Sequence, residues 1–310
     1  MLEQYTKYDY LFSNLRPNAI GGIKIFSRDD DFIIQQKYDA ITDEEHGIWS
    51  RLFTKLINPL DRYACAEYIN GLAALGLRQD KMPNFAELNP IIKEASGWEL
   101  VPVAGFLDEY VFFELNANRK FPVTDIVRQS DRMDEKYSDG AIQNEDDYTP
   151  EPDVFHDVRG HVPMLMNKEY GDFLADVGIL GHRILTDDEG LGPNLVAHNL
   201  KRLQNFAWWT YEFGIMEKQE GTDTLRKETN DMNHEIYGAG IMSSYAETLH
   251  IAACSKGENS YSEFFPYNIE EAVMTRFDYS EIQDRYFVID SMDSLYKSFY
   301  DNQDLFWYKG

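Results

Sequence analysis

The sequence predicts a mainly α-helical protein with a minor β element. Thr42 and Glu45 form a capping-box pattern, and apolar residues follow it at helical spacing from Ile48 to Leu56. Several later apolar stretches end at a glycine, which is the residue that most often closes a helix. Runs typical of strands are short and few. We therefore expect helices to build the core and a small sheet to accompany them.

The elements are predicted in the following order along the chain. After the helix that begins at Thr42, helices are expected at about 63–75 (closed by Gly76), 85–95 (closed by Gly97), 107–116, 151–159 (closed by Gly160), 168–185 and 193–217. Strands are expected near 119–127, 235–242 and 285–290. No Pro-, Gly- or Ser-rich linker divides the chain, so one main domain over 35–300 is expected. Residues 1–34 form an N-terminal extension, residues 301–310 a C-terminal tail, and the polar stretch 134–147 a loop insertion.

Composition and charge exclude several classes of partner. The chain has 310 residues, 43% of them hydrophobic, which is ample for a large core. Its 29 Lys and Arg against 54 Asp and Glu give a net charge of −25, so its averaged field repels nucleic acids and anionic membrane surfaces. Cys65 and Cys254 are too few for a disulfide framework. Neither a signal-peptide pattern nor a membrane-spanning apolar run is visible, so we expect a cytoplasmic protein.

The segment around His156 and His161 carries the strongest chemical signal. On a continuous α-helix, residues five apart point roughly 140° away from each other. We therefore expect Gly160 to end the helix and Pro163 to prevent its resumption, so that both imidazoles face one point. An iron(II) site needs two imidazoles and one carboxylate, and Glu212 lies among aromatic residues, where an unpaired carboxylate is costly. Spacing alone leaves a purely structural role for the histidines open.

Four motifs in order along the chain resemble the pterin-dependent aromatic amino acid hydroxylases, above all the bacterial members that act on phenylalanine. They are Trp98-Glu-Leu-Val-Pro-Val-Ala-Gly105-Phe-Leu, Tyr148-Thr-Pro-Glu-Pro-Asp-Val-Phe-His156-Asp-Val-Arg-Gly-His161-Val-Pro-Met, Trp208-Trp-Thr-Tyr-Glu212-Phe-Gly and Tyr237-Gly-Ala-Gly-Ile-Met-Ser243-Ser244-Tyr-Ala-Glu247. The resemblance implies iron(II) and a tetrahydropterin as cofactors and the conversion of L-phenylalanine and dioxygen to L-tyrosine. Tryptophan or tyrosine hydroxylation is the alternative within the family. A zinc-dependent hydrolase, with Asp157 as general base, is the alternative from another class.

The resemblance also implies a role for each matching residue. The expected iron ligands, which are also the catalytic residues, are His156, His161 and Glu212. Residues expected to contact the pterin are Gly105, Leu107, Phe112, which would stack on its ring, and Asp157, which would act through water. Residues expected to bind the amino acid are Arg128, Thr149, Pro152, Trp208, Ser243 and Ser244. Arg128 would hold the substrate carboxylate, a task suited to a planar guanidinium, although an ordinary ion pair is the competing interpretation.

The chain departs from the family pattern at a few positions. Asp157 stands where relatives commonly have Glu, and Gln129 stands where His is common, so the affinity for pterin is left open. The insertion 134–147 borders the substrate pocket and is either a surface loop or a lid that alters amino-acid choice. The Gly-Ala-Gly after Tyr237 lacks the third glycine and acidic partner of a dinucleotide site. Since no room remains for a regulatory domain or a tetramerisation helix, a monomer that binds only small molecules is expected.

Overall fold

A computed structural model describes residues 33–103, 105, 107–128, 153–219, 225–226, 229–278 and 282–310. The α-helices of this described part are α1 (Asp43–Tyr63), α2 (Ala66–Leu75), α3 (Phe85–Ser96), α4 (Glu109–Ala117), α5 (Val162–Leu165), α6 (Lys168–Thr186), α7 (Pro193–Ala207), α8 (Ala239–Met242), α9 (Tyr245–Ser255), α10 (Ile269–Ala272) and α11 (Met292–Asp301). The strands are β1 (Glu99–Val103), β2 (Lys120–Thr124), β3 (Ile215–Glu217), β4 (His234–Ile236), β5 (Glu263–Pro266) and β6 (Arg285–Ile289). The predicted class, mainly α with a minor β element, is confirmed.

Local chemistry fixes the ends of the first three helices as predicted. The Thr42 hydroxyl accepts a hydrogen bond from the Glu45 N–H at 3.2 Å, and the Glu45 carboxylate accepts one from the Thr42 N–H at 2.7 Å. This reciprocal pair is the capping box expected from the sequence. Gly76 and Gly97 end α2 and α3 with φ of 61° and 80°, in the left-handed region that glycine adopts without strain.

The strands form two small sheets. Strands β1 and β2 are a parallel pair, and the second sheet has the order β4, β3, β6, β5, with only the β3–β4 pair antiparallel. The predicted strands near 119–127 and 285–290 correspond to β2 and β6. Strands β1, β3 and β5 were not predicted; β3 and β5, with three and four residues, are too short to show an alternating pattern.

Two predicted elements are too long. The helix expected at 193–217 ends as an α-helix at Ala207, continues as a π-helix (Trp208–Glu212), and gives way to β3. The strand expected at 235–242 ends at Ile236, and α8 follows after Gly238. Short apolar runs have no periodicity that separates helix from strand, which explains both errors.

The element around the two histidines also differs from the prediction. Gly160 does not end a helix there; instead a π-helix (His156–His161) contains it and runs directly into α5. Pro163 does not stop the chain from continuing as a helix, because it is the second residue of α5, where a missing N–H is tolerated. A π-helix closes its hydrogen bonds one residue later than an α-helix, so residues five apart approach the same face.

The described ends of the chain pack against this core. Near the N-terminus, the N–H of Ile34 donates to the Pro102 carbonyl of β1 at 2.9 Å. Near the C-terminus, Phe306 is fully buried, and Arg202 of α7 donates to the Leu305 carbonyl at 2.7 Å. No described helix is both long enough and apolar enough to cross a membrane.

Candidate metal centre

The two π-helices bring His156, His161 and Glu212 together. The Nε2 atoms of the two histidines are 3.3 Å apart. Glu212 places Oε1 at 3.2 Å from Nε2 of His161 and Oε2 at 3.7 Å from Nε2 of His156. Within the described part of the chain, this is the one group of at least three His, Cys, Asp or Glu side chains close enough to share a metal ion. The structure therefore joins the three predicted ligands.

The spacing of these donor atoms fits a metal ion. Bonds of about 2.1 Å that meet at right angles place two ligand atoms about 3 Å apart. The observed separations of 3.2 to 3.7 Å are close to this value. Two imidazoles and one carboxylate on one face form the donor set of mononuclear iron(II) oxygenases, which leaves the opposite positions open.

The protonation states suit metal binding. Burial lowers the pKa of His156 to about 4, so its imidazole is neutral near pH 7 and has a lone pair for a metal. Burial alone raises the pKa of Glu212, but the neighbouring His161 and His156 lower it more, and the net pKa lies below its ordinary value. The centre thus offers a neutral imidazole beside an ionised carboxylate.

Ser243 orients the first ligand. Its hydroxyl donates to the Gly240 carbonyl at 3.2 Å and lies 2.8 Å from Nδ1 of His156. Because that hydroxyl proton is already committed, Nδ1 of His156 is the donor, and Nε2 keeps its lone pair toward the metal position. Ser244 has a different position: its Oγ accepts from the Glu247 N–H at 3.3 Å and caps α9.

Arg128 forms a buried ion pair. Its Nε lies 2.6 Å from Oδ2 of Asp153, and the two side chains are only 4% and 1% exposed. Asp153 also accepts from the backbone N–H of His156 at 2.7 Å through Oδ1. One carboxylate therefore ties Arg128 to the turn that carries the metal ligands. Sequence reasoning missed Asp153; its only signal was an acid three residues before the first histidine.

The residues expected to contact the pterin lie around the end of β1 and the start of α4. Gly105 has a φ of 75°, and its N–H donates to Oδ1 of Asp125 at 2.9 Å. Leu107 is buried in a small apolar cluster, on which the half-buried Phe112 packs. Burial raises the pKa of Asp125, a residue that the sequence analysis did not single out.

Asp157 is buried, whereas a contact with the pterin through water would suggest a more exposed carboxylate. Its Oδ2 accepts from the Thr124 N–H, at the end of β2, at 2.8 Å. Burial raises its pKa well above the ordinary value. One oxygen of this short carboxylate is thus used to join the first π-helix to β2.

Trp208 lies in an aromatic stack. Its ring is 4.2 Å from the ring of Phe213 and 4.1 Å from the ring of Phe277, measured between centroids and nearly parallel. The remaining predicted substrate residues, Thr149 and Pro152, and the insertion 134–147 lie outside the described residues.

The glycine motif after Tyr237 joins the two π-helices. A Cβ on Gly238 would lie 2.3 Å from the Gly214 nitrogen and 2.5 Å from the Glu212 carbonyl oxygen. A Cβ on Gly160 would lie 2.7 Å from the carbonyl oxygen of Ala239, inside the same motif. Only hydrogen side chains allow these backbones to touch, so close packing explains the motif that resembles half a dinucleotide fingerprint.

Comparisons with known proteins match most of the chain to one family. The sequence model of the family described as biopterin-dependent aromatic amino acid hydroxylase matches residues 28–302. The phenylalanine-4-hydroxylase of Caulobacter vibrioides is 34% identical over 265 residues, which cover 86% of this chain and 76% of that protein. A crystal structure of Chromobacterium violaceum phenylalanine hydroxylase with iron and phenylalanine bound is 30% identical, with a TM-score of 0.70 over 90% of this chain and 87% of that chain. A second structure of that enzyme, with iron(III) and 7,8-dihydrobiopterin, has a TM-score of 0.69 at 31% identity over 88% and 85%.

Proposed function

The chain belongs to the family of biopterin-dependent aromatic amino acid hydroxylases, and from this premise we propose that it hydroxylates the ring of L-phenylalanine to give L-tyrosine. The observation that carries the proposal is the convergence of His156, His161 and Glu212 at separations suited to one metal ion. The similar proteins described above are phenylalanine hydroxylases, which favours phenylalanine over tyrosine or tryptophan. The zinc-hydrolase alternative has no support from these relatives.

The three ligands would hold iron(II) on one face. When bound together, iron(II) and a tetrahydropterin supply the activation of dioxygen that ring hydroxylation needs. The chain itself contributes a fixed ligand geometry, with Ser243 keeping the His156 tautomer that presents Nε2 to the metal. The aromatic stack at Trp208 forms a rigid apolar wall that would shape the ring pocket and exclude water.

Arg128 is the proposed anchor for the substrate carboxylate. A guanidinium buried beside Asp153 is held in one orientation, so a bound amino acid would be placed with its ring at a defined distance from the metal. Proposed neighbours of the substrate are Thr149, Pro152, Trp208, Ser243 and Ser244.

The pterin is proposed to bind beside α4. Phe112 would stack on the pterin ring, the backbone at Gly105 and Leu107 would contact its edge, and Asp157 would reach it through water. The hydrogen bond from the Gly105 N–H to Asp125 supports this assignment, because it fixes the loop in a conformation with positive φ.

We further propose that the enzyme is a cytoplasmic monomer whose partners are small molecules. Cys65 and Cys254 are both buried as free thiols, which agrees with a reducing compartment. Sedimentation velocity of the full chain tests the oligomeric state, and a stable tetramer would contradict the monomer.

Product analysis tests the reaction. The purified chain is loaded with iron(II), supplied with a tetrahydropterin and oxygen, and offered phenylalanine, tyrosine and tryptophan in separate reactions. Tyrosine formed only from phenylalanine, and only with iron and pterin, is the expected outcome. Zinc loading and Glu212→Ala are the controls and should give no product. If only tyrosine or only tryptophan is hydroxylated, the proposed substrate is wrong and the proposed type of reaction stands. If no pterin is oxidised, the proposal is overturned.

A further inference from the structure

We propose that Tyr68 and Arg159 form a positioning pair that holds the first π-helix in the geometry its two histidines need. The inference rests on the proposed metal site and adds two residues that do not themselves contact a metal or substrate. Arg159 lies between His156 and His161 in the chain, and Tyr68 belongs to α2, which packs on α5. Both side chains are almost fully buried.

The two residues are joined by reciprocal hydrogen bonds. The Tyr68 hydroxyl donates to the backbone carbonyl of Arg159 at 2.8 Å, and Nη1 of Arg159 donates to the same hydroxyl. The guanidinium also lies over two aromatic rings, 4.6 Å from the centroid of Phe53 and 5.4 Å from that of Tyr68. These contacts fix both the side chain and the backbone carbonyl of Arg159 to the side chain of Tyr68.

The Arg159 carbonyl needs such a donor because of the sequence that follows it. In an α-helix this carbonyl would accept from the N–H of the residue four positions later, but that residue is Pro163, which has no N–H. A buried carbonyl without a donor costs free energy. The Tyr68 hydroxyl supplies the donor that Pro163 lacks, so the Arg159 carbonyl is satisfied and the backbone is tied to α2 where the π-helix passes into α5.

Stability alone does not explain a charged side chain here. Among the described residues, no carboxylate pairs with Arg159, whose side chain is one of the largest that are fully buried. Within the described part of the chain, ring faces and the Tyr68 hydroxyl are the groups that compensate its charge. Apolar residues often replace buried charges without loss of stability. The retained guanidinium instead locks the Tyr68 hydroxyl in the orientation that donates to the carbonyl.

Cobalt(II) binding to the full, metal-free chain tests the pair. We expect Tyr68→Phe, which keeps the ring but removes the hydroxyl, to lower the affinity for cobalt(II) about tenfold and to change its visible absorption bands. Arg159→Met retains the hydrogen bond to the carbonyl, so its loss should be smaller. The double variant should bind no more weakly than Tyr68→Phe, because both changes act through one hydrogen bond.

A matched control and a second route complete the experiment. Tyr38→Phe removes another phenol hydroxyl that donates to a backbone carbonyl, that of Met82 at 3.1 Å, and should leave the affinity and the spectrum unchanged. Pro163→Ala restores an N–H to the turn, and we expect it to lower cobalt(II) affinity while circular dichroism shows an intact fold. Pro163→Ala carries the test if Tyr68→Phe does not fold.

Two outcomes separate this inference from the proposed metal site. If both Tyr68→Phe and Pro163→Ala keep the wild-type affinity and spectrum, the inference is overturned and the metal site is unaffected. If the wild-type chain binds no cobalt(II), the proposed metal site is overturned as well.

Discussion

Two buried glutamates of this protein have opposite pKa shifts because their neighbours differ. Glu212 faces two imidazoles, which lower its pKa below the ordinary value despite its burial. Glu247, at the start of α9, is also buried, and the neighbouring Tyr286 hydroxyl offsets the loss of water only in part, so burial raises its pKa to about 8. The first carboxyl is thus ionised and ready for a metal, and the second is protonated near neutral pH.

The raised pKa of Glu247 predicts a pH-dependent stability. Between the ordinary carboxyl pKa and about 8, the folded state keeps a proton that the unfolded state has lost, so the free energy of unfolding falls as pH rises. Glu247→Gln removes this dependence. The free energy of unfolding of the variant, relative to that of the wild type, should therefore rise from pH 5 to pH 8, by at most about 1.4 kcal/mol per pH unit. Urea unfolding at four pH values measures it. The control is Glu271→Gln, which makes the same change at an exposed carboxyl in the first turn of α10.

The buried pair of Arg128 and Asp153 predicts a large effect of a small change. Asp153→Asn removes the charge of the carboxylate that faces the buried Arg128 guanidinium, and breaking a buried ion pair typically costs about 3 kcal/mol or more. We expect the urea midpoint to fall and the KM for the amino acid to rise. The matched control is Asp172→Asn, which breaks a half-exposed pair with Arg119 and should cost under about 1 kcal/mol. Equal losses of unfolding free energy in the two variants would contradict a special contribution of the buried pair to stability.

At the scale of elements, the sequence predicts which three side chains converge better than it predicts the local structure that brings them together. Resemblance selected His156, His161 and Glu212, and helical geometry correctly required a departure from a regular helix between the two histidines. The form of that departure, a π-helix, was not predictable, because it depends on tertiary partners such as Tyr68 and Ala239. Capping signals act locally, which is why the start of α1 was predicted correctly.

The glycine contacts between elements predict a defect that reaches the metal centre. In Gly238→Ala the new methyl group would meet the backbone nitrogen of Gly214 and the carbonyl group of Glu212, which cannot move aside as a flexible side chain would. We expect a loss of about 2 kcal/mol in unfolding free energy and weaker cobalt(II) binding. Gly47→Ala, in α1, has only a flexible arginine terminus within 4 Å and should be neutral or slightly stabilising. A wild-type metal affinity in Gly238→Ala would show that this packing does not position Glu212.

At the scale of the whole molecule, the metal centre connects parts of the chain that are distant in sequence. The predicted ligands come from two π-helices that are separated by α5, α6 and α7, and the glycine motif at the start of α8 packs against both. Arg128 joins the same centre from the end of the first sheet through Asp153. A bound metal ion would therefore cross-link the two π-helices and, through them, the elements that pack against them.

This arrangement predicts that metal binding stabilises the entire fold. A ligand that binds only the folded state adds about 2.7 kcal/mol when its free concentration is a hundred times its Kd. The thermal midpoint of the metal-free chain should thus rise with the logarithm of the iron(II) concentration under anaerobic conditions. Glu212→Gln keeps the size of the side chain but loses its charge, and its midpoint should respond far less. A midpoint in the wild type that is independent of metal would mean that the three side chains converge without binding an ion, because a site spread over two π-helices does not form in the unfolded chain.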